Sequence, residues 1–282
     1  MGLRLGVDVG GTKIAVTLLG ADGGERLRRR VFYEARREYD AAFALLAELI
    51  AAAQNEAGGP CTVGIGMPGL IDPATGLVEN AYNTPYNKRA LKKDLEHRLR
   101  QEVRFANDAN CFALSEAVDG AARGAGVVFG AILGTGVGGG LVVDGRVIHG
   151  RHGIGGEWGH TPLPWMSAQE HPGPRCNCGR LGCIEQFLSG PAKNRERDEI
   201  GDELAMARYG DRLARAFSTI INVLDPDVIV VGGGMSKHQE IYAEVPQLLR
   251  KYVYCTNPTT PIVPAVHGDA SGVRGAAMLW PA

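Results

Sequence analysis

The chain has 282 residues, 45% of them hydrophobic and 22% charged, with a formal net charge of -1. That length is enough for one large domain or two medium ones with a real core, and the balanced charge offers no basic surface for nucleic acid. No run of 18 apolar residues suggests a membrane span, and the start MGLRLGVDVGGT lacks the basic region, apolar run and cleavage site of a secretion signal. A reducing, cytoplasmic setting is therefore expected, where clustered cysteines read as metal ligands more readily than as disulfides.

Alternating apolar residues predict strands over Leu3–Val9 and Lys13–Leu19, with Gly10, Gly11 and Thr12 between them. Ala21–Gly24 is a turn and Glu25–Tyr33 a third strand, so the start is an antiparallel meander. The four arginines within Arg26–Arg30 belong to its solvated edge. Helical spacing marks Tyr39–Ala53, and Lys88–Leu99 suggests a second helix. Between them Cys61–Met67 is a strand leading into the turn Pro68–Asp72. Val103–Ala106 is a short strand, followed at once by NDAN at 107–110; Cys111–Val118 then reads as a helix that starts where the Asn/Asp group ends.

Near residue 127 the order recurs. Strand Val127–Leu133 ends in GTGVGGG at 134–140; Leu141–Val143, the Asp144-Gly145 turn and Val147–Ile148 follow. This is an internal repeat of organisation, and two similar domains facing a cleft is the simplest arrangement. His149–Gly190 is rich in Gly, Pro, Cys and His and predicts a loop insertion without a large core of its own. Glu196–Leu224 is mostly helical, Asp227–Val231 is a buried strand followed by Gly232, Gly233 and Gly234, and Ile241–Leu249 is helical. Ile262–Ala265 is the last strand. The final helix, Ser271–Leu279, carries small residues that allow close packing.

Five constellations carry chemistry. DVGGT at 8–12 can converge backbone N–H groups on a phosphate, because only Gly permits so close an approach. Thr12 adds a hydroxyl, and Asp8 can hold a magnesium-bound water; a plain hairpin turn is the competing reading. GTGVGGG is a similar loop on the second unit, and the pair suggests a phosphate clamp on each wall of a cleft. The glycines at 232–234 suit a flat ring or ribose, although a tight strand–helix turn also uses them. Asp108 sits at a helix start that would hold it ionised, as suits the base that takes a hydroxyl proton in kinases; its competing role is a helix N-cap.

The fifth is RCNCGRLGC at 175–183 together with GEWGH at 156–160. Cys176, Cys178 and Cys183 supply three soft ligands in a C-x-C-x4-C spacing, tighter than a usual finger. His152, His160 and His171 are candidates for the fourth ligand. His160 is preferred, one helical turn from Glu157. Free cysteines packed in a loop are the competing reading. Cys61, Cys111 and Cys255 stand in apolar or helical contexts and read as core.

In order along the chain, DVGGTK, NDANCFALSEA, LGTGVGGG, GEWGH, CNCGRLGCIE, DPDVIVVGGG and HGDASGVRGAA resemble the ROK family of sugar kinases over nearly the whole length. The wording GEWGHTPLPWM, INVLDPDVIVVGGGMS and HGDASGVRGAAMLWP resembles bacterial fructokinases first and N-acetylglucosamine kinases next. The resemblance implies an α/β actin-like ATPase (ribonuclease H-like) fold. Its small domain would be residues 1–118 with the C-terminal helix 271–282, and its large domain 119–270 with a zinc loop at 149–190. The implied reaction is ATP-dependent phosphorylation of fructose at the 6-hydroxyl to fructose 6-phosphate. N-acetylglucosamine or another hexose is the alternative acceptor, and a non-catalytic sugar-binding protein or regulator the remaining alternative.

The resemblance also implies roles. Asp108 would be the general base, with Asn83, Asn107, Glu157, His160 and Glu185 lining the sugar. Asp8, Gly10, Gly11, Thr12 and Lys13 would face the ATP phosphates and Mg2+ from one side, and Gly134, Thr135, Gly136 and Gly138 from the other. Gly232, Gly233 and Gly234 would flank the adenosine. A structural Zn2+ would sit on His160, Cys176, Cys178 and Cys183, closed by four protein ligands, so that its removal weakens sugar binding first. The partner is a small-molecule sugar, with no nucleic acid and no membrane; a homodimer is usual in the family. One departure stands out. PAKNRERDEIGDELAMARYG, between Ser189-Gly190 and Arg212, is shorter than the family pattern and lacks its Gly-rich start, so adenosine contacts on that side do not carry over.

Overall fold

Two five-stranded sheets with one shared strand order carry the protein. The computed structural model describes residues 2–33 and 38–281. The first half runs β1 (Leu3–Val9), β2 (Lys13–Leu19), β3 (Glu25–Phe32), α1 (Tyr39–Ala57), β4 (Cys61–Met67), the short β5 (Leu70–Ile71) and β6 (Val78–Glu79), α2 (Leu91–Leu99), β7 (Val103–Asn107) and α3 (Asp108–Val118). The second runs β8 (Val127–Leu133), β9 (Val137–Val143), β10 (Arg146–Val147), α4 (Glu185–Leu188), α5 (Gly190–Ile200), α6 (Asp202–Leu224), β11 (Val228–Gly232), α7 (Glu240–Leu248), β12 (Ile262–Pro264) and α8 (Ser271–Met278).

The sheet orders are β3-β2-β1-β4-β7 and β10-β9-β8-β11-β12. Each has an antiparallel meander on one side and parallel strands on the other. The repeat of organisation read from the sequence is thus a repeat of topology, and the α/β actin-like arrangement is present. Among the described residues, no helix is long and apolar enough to cross a membrane.

Glycines explain the interior layers. α8 lies on β1 and β4, where a Cβ on Gly6 or Gly64 would stand 2.1 Å or 1.9 Å from a carbonyl oxygen of α8. α3 lies on β8 and β9, where a Cβ on Gly140 would stand 2.5 Å from the Ala109 carbonyl oxygen. The two helices then cross, and a Cβ on Gly275 would come within 1.7 Å of the Cys111 carbonyl oxygen. Side chains are absent wherever backbone must meet backbone. Outer helices cover the other faces: Ala42, Leu46 and Ile50 of α1 join Val7 and Ile65, while Leu213 and Phe217 of α6 join Phe129 and Val231. Burying each such large apolar side chain contributes roughly 1.5–3 kcal/mol.

A second device fixes the crossing. Glu116 on α3 is fully buried. Its Oε2 accepts from Ala121 N (2.9 Å) and Val266 N (3.0 Å), and its Oε1 accepts from His267 N (3.1 Å) and Ser271 Oγ (2.8 Å). Beside it, Asp119 accepts from Arg274 and meets His267 Nε2 at 2.9 Å.

Several boundaries differ from the sequence reading. α1 continues to Ala57 and stops at Gly58, a left-handed C-cap. α3 begins at Asp108 instead of Cys111, because Asn107 takes the cap. Most of GTGVGGG is strand, since β9 starts at Val137 and its glycines admit α3. The 149–190 loop has no separate core. It lends Trp158, Leu163, Ile184, Phe187 and Leu188 to the cluster around Phe129. The helical stretch expected from Glu196 starts at Gly190, capped by Ser189, and breaks at Gly201. Lys193 pairs with Asp202 across that break. Cys255, read as core, is exposed; Cys61 and Cys111 are buried.

Candidate active site and metal centre

The β7–α3 junction places Asp108, the candidate base. Asn107 Oδ1 accepts the Ala109 backbone N–H at 2.9 Å, and its Nδ2 donates to the Gly69 carbonyl at 3.1 Å. Because Asn107 is the cap, Asp108 opens the first turn, where its Oδ1 also accepts from Ala109 N at 2.8 Å. Burial pushes the Asp108 carboxyl up, against the lowering pull of the backbone N–H groups of Ala109 and its own residue. The expectation that the helix start alone holds it ionised is corrected accordingly: desolvation wins. Asp8, at the end of β1, is the facing carboxyl. Burial first, then the Asp108 charge, push it up to about 6, while Lys13 and Arg30 pull it down.

Two turns flank this pair. In the first, Gly10 N donates to the Lys13 carbonyl at 2.9 Å, and Tyr33 Oη donates to the Gly10 carbonyl at 2.6 Å. Thr12 stands exposed at the tip. Gly11 packs on Asn83, whose carbonyl oxygen lies 2.8 Å from where a Cβ would be. Asn83 thus sits beside the phosphate-type turn. Tyr33 was not singled out in the sequence; an aromatic residue at a strand end carries no signal of that role.

In the second turn, Gly134 N donates to the Gly136 carbonyl at 3.0 Å and Thr135 is exposed at the tip. Gly138 lies against Ala109, one residue from Asp108, with its carbonyl accepting from Trp158 Nε1 at 2.8 Å. Gly190 N donates to the Gly134 carbonyl at 2.7 Å, bringing α5 to the same place. Gly233 has φ 82° and backs onto Leu133 and Gly134, a position closed to a side chain. Gly232 is buried under the Phe112 ring, so of the three glycines only Gly233 and Gly234 are exposed.

The acidic and imidazole groups converge from the 149–190 loop. Trp158, stacked on Phe217 (5.5 Å) and edge-on to Phe129 (5.6 Å), anchors the short 3-10 turn Trp158–His160 in the core. Glu157 precedes that turn. Burial raises its pKa, His160 opposes, and the Asp108 and Glu185 charges add to the rise. Asp108, His160 and Glu185 are thus near enough for their charges to act on Glu157. Glu185 Oε2 accepts from Val137 N at 3.0 Å.

The metal-ligating atoms of His160, Cys176, Cys178 and Cys183 all lie within 4.8 Å of one another. His160 Nδ1 is 3.5 Å from Cys176 Sγ, and Cys178 Sγ is 3.5 Å from Cys183 Sγ. Antiparallel bridges Pro162–Cys183 and Arg175–Leu181 close the knuckle. Three sulfurs and one imidazole at this separation fit a tetrahedral soft-metal site with no open position, and they leave His160 Nε2 for another partner. His152 and His171 are not in the cluster.

Comparison with known proteins gives a consistent picture. The ROK family model matches residues 4–282. The N-acetyl-D-glucosamine kinases of Pectobacterium atrosepticum and Escherichia coli O6:H1 are 38% and 40% identical, over 97% of this chain and 97% and 98% of theirs. The aligned spans, 297 and 299 positions, exceed this chain's 282 residues, so the relatives carry segments it lacks. A ROK hexokinase from Thermus thermophilus superposes with TM-score 0.85 at 28% identity, over 98% of this chain and 97% of that one. A ROK glucokinase from Streptomyces griseus, in complex with glucose and AMPPNP, does so with TM-score 0.78 at 26% identity and 99% of each chain.

The fructokinase resemblance is overturned, because the relatives at this identity are N-acetyl-D-glucosamine kinases. The structure explains the mistake. HGDASGVRGAA supplies Ser271, Arg274 and Gly275 to the helix crossing, and GEWGH supplies Trp158 to the core and His160 to the knuckle. The first of these stretches describes scaffold, and the second mixes scaffold with Glu157 and His160, candidate contacts to any hexose. With the family model spanning all but the first three residues and these relatives matched end to end, the chain belongs to the ROK family.

Proposed function

We propose that the protein is an ATP-dependent hexose kinase whose acceptor is N-acetyl-D-glucosamine. The kinase reading is supported by a buried aspartate, Asp108, that follows the Asn107 cap next to the Gly134–Gly140 turn and lies near enough to Glu157 for their charges to interact. The acceptor is supported by the near end-to-end match with N-acetyl-D-glucosamine kinases.

In this reading Asp108 takes the proton of the sugar 6-hydroxyl as its oxygen attacks the γ-phosphorus. The bond from that phosphorus to the β–γ bridging oxygen breaks, and ADP leaves. Asn107, Glu157, His160 Nε2 and Glu185 orient the ring. Gly10–Lys13 and Gly134–Gly136 offer backbone N–H groups to the phosphates, with Gly233 and Gly234 along the adenosine. Asp8 is an oxygen donor suited to a hard cation; bound magnesium would neutralise phosphate charge. His160, Cys176, Cys178 and Cys183 would hold zinc as a clip. Residues 1–118 with 271–282 close on 119–270 to exclude water, which competes as acceptor.

A coupled ADP-release assay over N-acetylglucosamine, glucose, mannose and fructose tests this. N-acetylglucosamine is expected to give the highest kcat/KM. A higher value for another hexose overturns the acceptor, and no turnover with any of them overturns the kinase.

A further inference from the structure

A groove of about 940 Å³ runs between the stretch Trp165–Pro174 and helices α5 and α6, and it shares no lining residue with the glycine turns. Trp165 lines it, 59% exposed and in the left-handed region at φ 49°. That conformation is costly for a bulky side chain, and a buried group holds it. Arg215, only 5% exposed, donates to the Pro164 and Trp165 carbonyls at 3.1 and 2.9 Å and to Glu170 at 2.8 Å. Tyr252 stacks on the indole at 5.4 Å, and its Oη donates to Asp211 Oδ1 at 2.6 Å. An exposed aromatic face is thus held in place over a charged floor. The chemistry assigned to Asp108 uses none of these groups.

The lining decides what fits. Arg212 donates to Glu170 at 2.7 Å and to Glu196 at 3.1 Å, and Arg208 meets Glu196 at 3.2 Å. With Glu199 and Asp211, the groove carries four carboxylates against three guanidinium groups. A phosphorylated ligand would therefore meet net negative charge. A second copy of the chain is a poorer fit, because charged residues are depleted at the core of protein interfaces. Sugar hydroxyls donate and accept at once, which suits donors and acceptors set side by side. The C–H face of a pyranose suits the open indole. Since a cavity of about 150 Å³ holds a benzene ring, the groove has room for more than one sugar ring. One element links it to the candidate active site: Phe187, under the Arg212 guanidinium at 5.2 Å, lines the groove and stands on α4 with Glu185. We propose that this groove is a second saccharide site, that it takes an uncharged saccharide of two or more rings, and that its occupancy is felt at Glu185. The binding stands without the kinase reading; only its kinetic effect rests on that reading.

The chain's three tryptophans provide reporters. Trp165 lines the groove, while Trp158 bonds the Gly138 carbonyl beside Ala109. Maltose, cellobiose, lactose and N,N′-diacetylchitobiose are titrated into the wild type while the indole N–H signals are followed by NMR. At least one of them is expected to move the Trp165 signal. Calorimetry then compares the wild type with Trp165→Ala and with Ala207→Phe, which fills the groove from the exposed side of α6; melts check folding. Both variants should weaken disaccharide binding roughly tenfold or more. Their kcat/KM for N-acetylglucosamine without disaccharide should stay within about twofold of wild type, as for other surface substitutions. The bound disaccharide should change the wild-type hexose KM about fivefold, the low end of coupling between sites, and leave both variants unmoved. No shift at Trp165, or binding that survives both substitutions in folded protein, overturns the site. A wild-type dimer that the variants dissolve, with no disaccharide bound, assigns the face to a second copy and overturns it too. An unmoved wild-type KM with disaccharide bound overturns the link to Glu185. Disaccharide binding that both variants abolish, in a protein that phosphorylates no hexose, supports the site and overturns the kinase reading alone.

Discussion

Glu185 Oε2 accepts the Val137 backbone N–H at 3.0 Å, while its Oε1 lies 3.9 Å from Cys176 Sγ. One carboxylate joins the base of the second glycine turn to the cysteine knuckle. Glu185→Ala is therefore expected to raise KM for ATP as well as for the sugar. A hydrogen bond to a charged group is worth about 1.5–3 kcal/mol, so roughly tenfold on ATP is expected. Glu185→Gln keeps an oxygen for Val137 and should restore most of the ATP term while leaving the sugar term impaired. Equal ATP defects in both variants would show that the bond positions nothing.

The same contact changes what zinc removal should do. From the sequence, stripping the metal weakens sugar binding first. With Glu185 beside Cys176, loss of the metal should also loosen the turn at Gly134–Gly136. Metal analysis of the purified protein is expected to give about one zinc per chain. After chelation, sugar affinity by calorimetry and KM for ATP should both worsen, with recovery on adding zinc back. An ATP KM unmoved by chelation would detach the turn from the knuckle.

Asp108→Asn should lower kcat by roughly 10²–10⁴-fold, the usual worth of a positioned base. Binding of the sugar, followed by calorimetry, should change little, because the carboxamide keeps the size and an acceptor oxygen for Ala109 N. Parallel loss of binding and turnover would make Asp108 a binding residue and not a base.

The raised carboxyls set the pH dependence. Asp108 must lose its proton to act, so kcat/KM should rise with pH through an acid limb displaced upward from the usual carboxylate range. Stability runs the other way. Asp8 is raised from 3.8 to about 6 on folding. The native state then binds the proton more tightly than the unfolded chain. The contribution is complete below about pH 4 and is lost as pH climbs through about 6, on the order of 3 kcal/mol in total. Asp8→Asn should therefore melt higher than wild type at pH 8 and differ little at pH 4. A higher melting point for the wild type at pH 8 would contradict this sign.

Glu116→Ala removes the common acceptor of three backbone N–H groups and the Ser271 hydroxyl. Leaving those donors buried should cost at least about 3 kcal/mol, read from urea unfolding. Glu116→Gln, which retains one acceptor oxygen, should fall between the two.

Much of the scaffold is legible from the residues. The repeat is legible because Leu3–Val9 and Val127–Leu133 each run as an apolar strand into a glycine turn and a second strand, and both are central strands buried on both faces. The knuckle is legible because three thiols so close together have few other uses. The start of α3 differs because Asn107 and Asp108 are both good caps and both accept from Ala109 N; the extended backbone of Asn107, with ψ 149°, is what makes it the cap. GTGVGGG looked like loop because glycine disfavours strands in isolation; the helix that needs those bare positions is distant in sequence. The acceptor was misread because the most distinctive wording lies at packing positions or at candidate contacts to any hexose.

The crossing of α3 and α8 has a further meaning. Asp108 begins one helix, and Gly272 near the start of the other lies against Asp8, with 3.4 Å from its would-be Cβ to Oδ2. Between these ends the helices meet backbone to backbone at Gly275 and Cys111, and Glu116 ties α3 to the start of α8 through Ser271. Asp108 starts one of the pair and Asp8 rests on the other, so a side chain at Gly275 that spread the pair would alter the spacing of the two carboxyls.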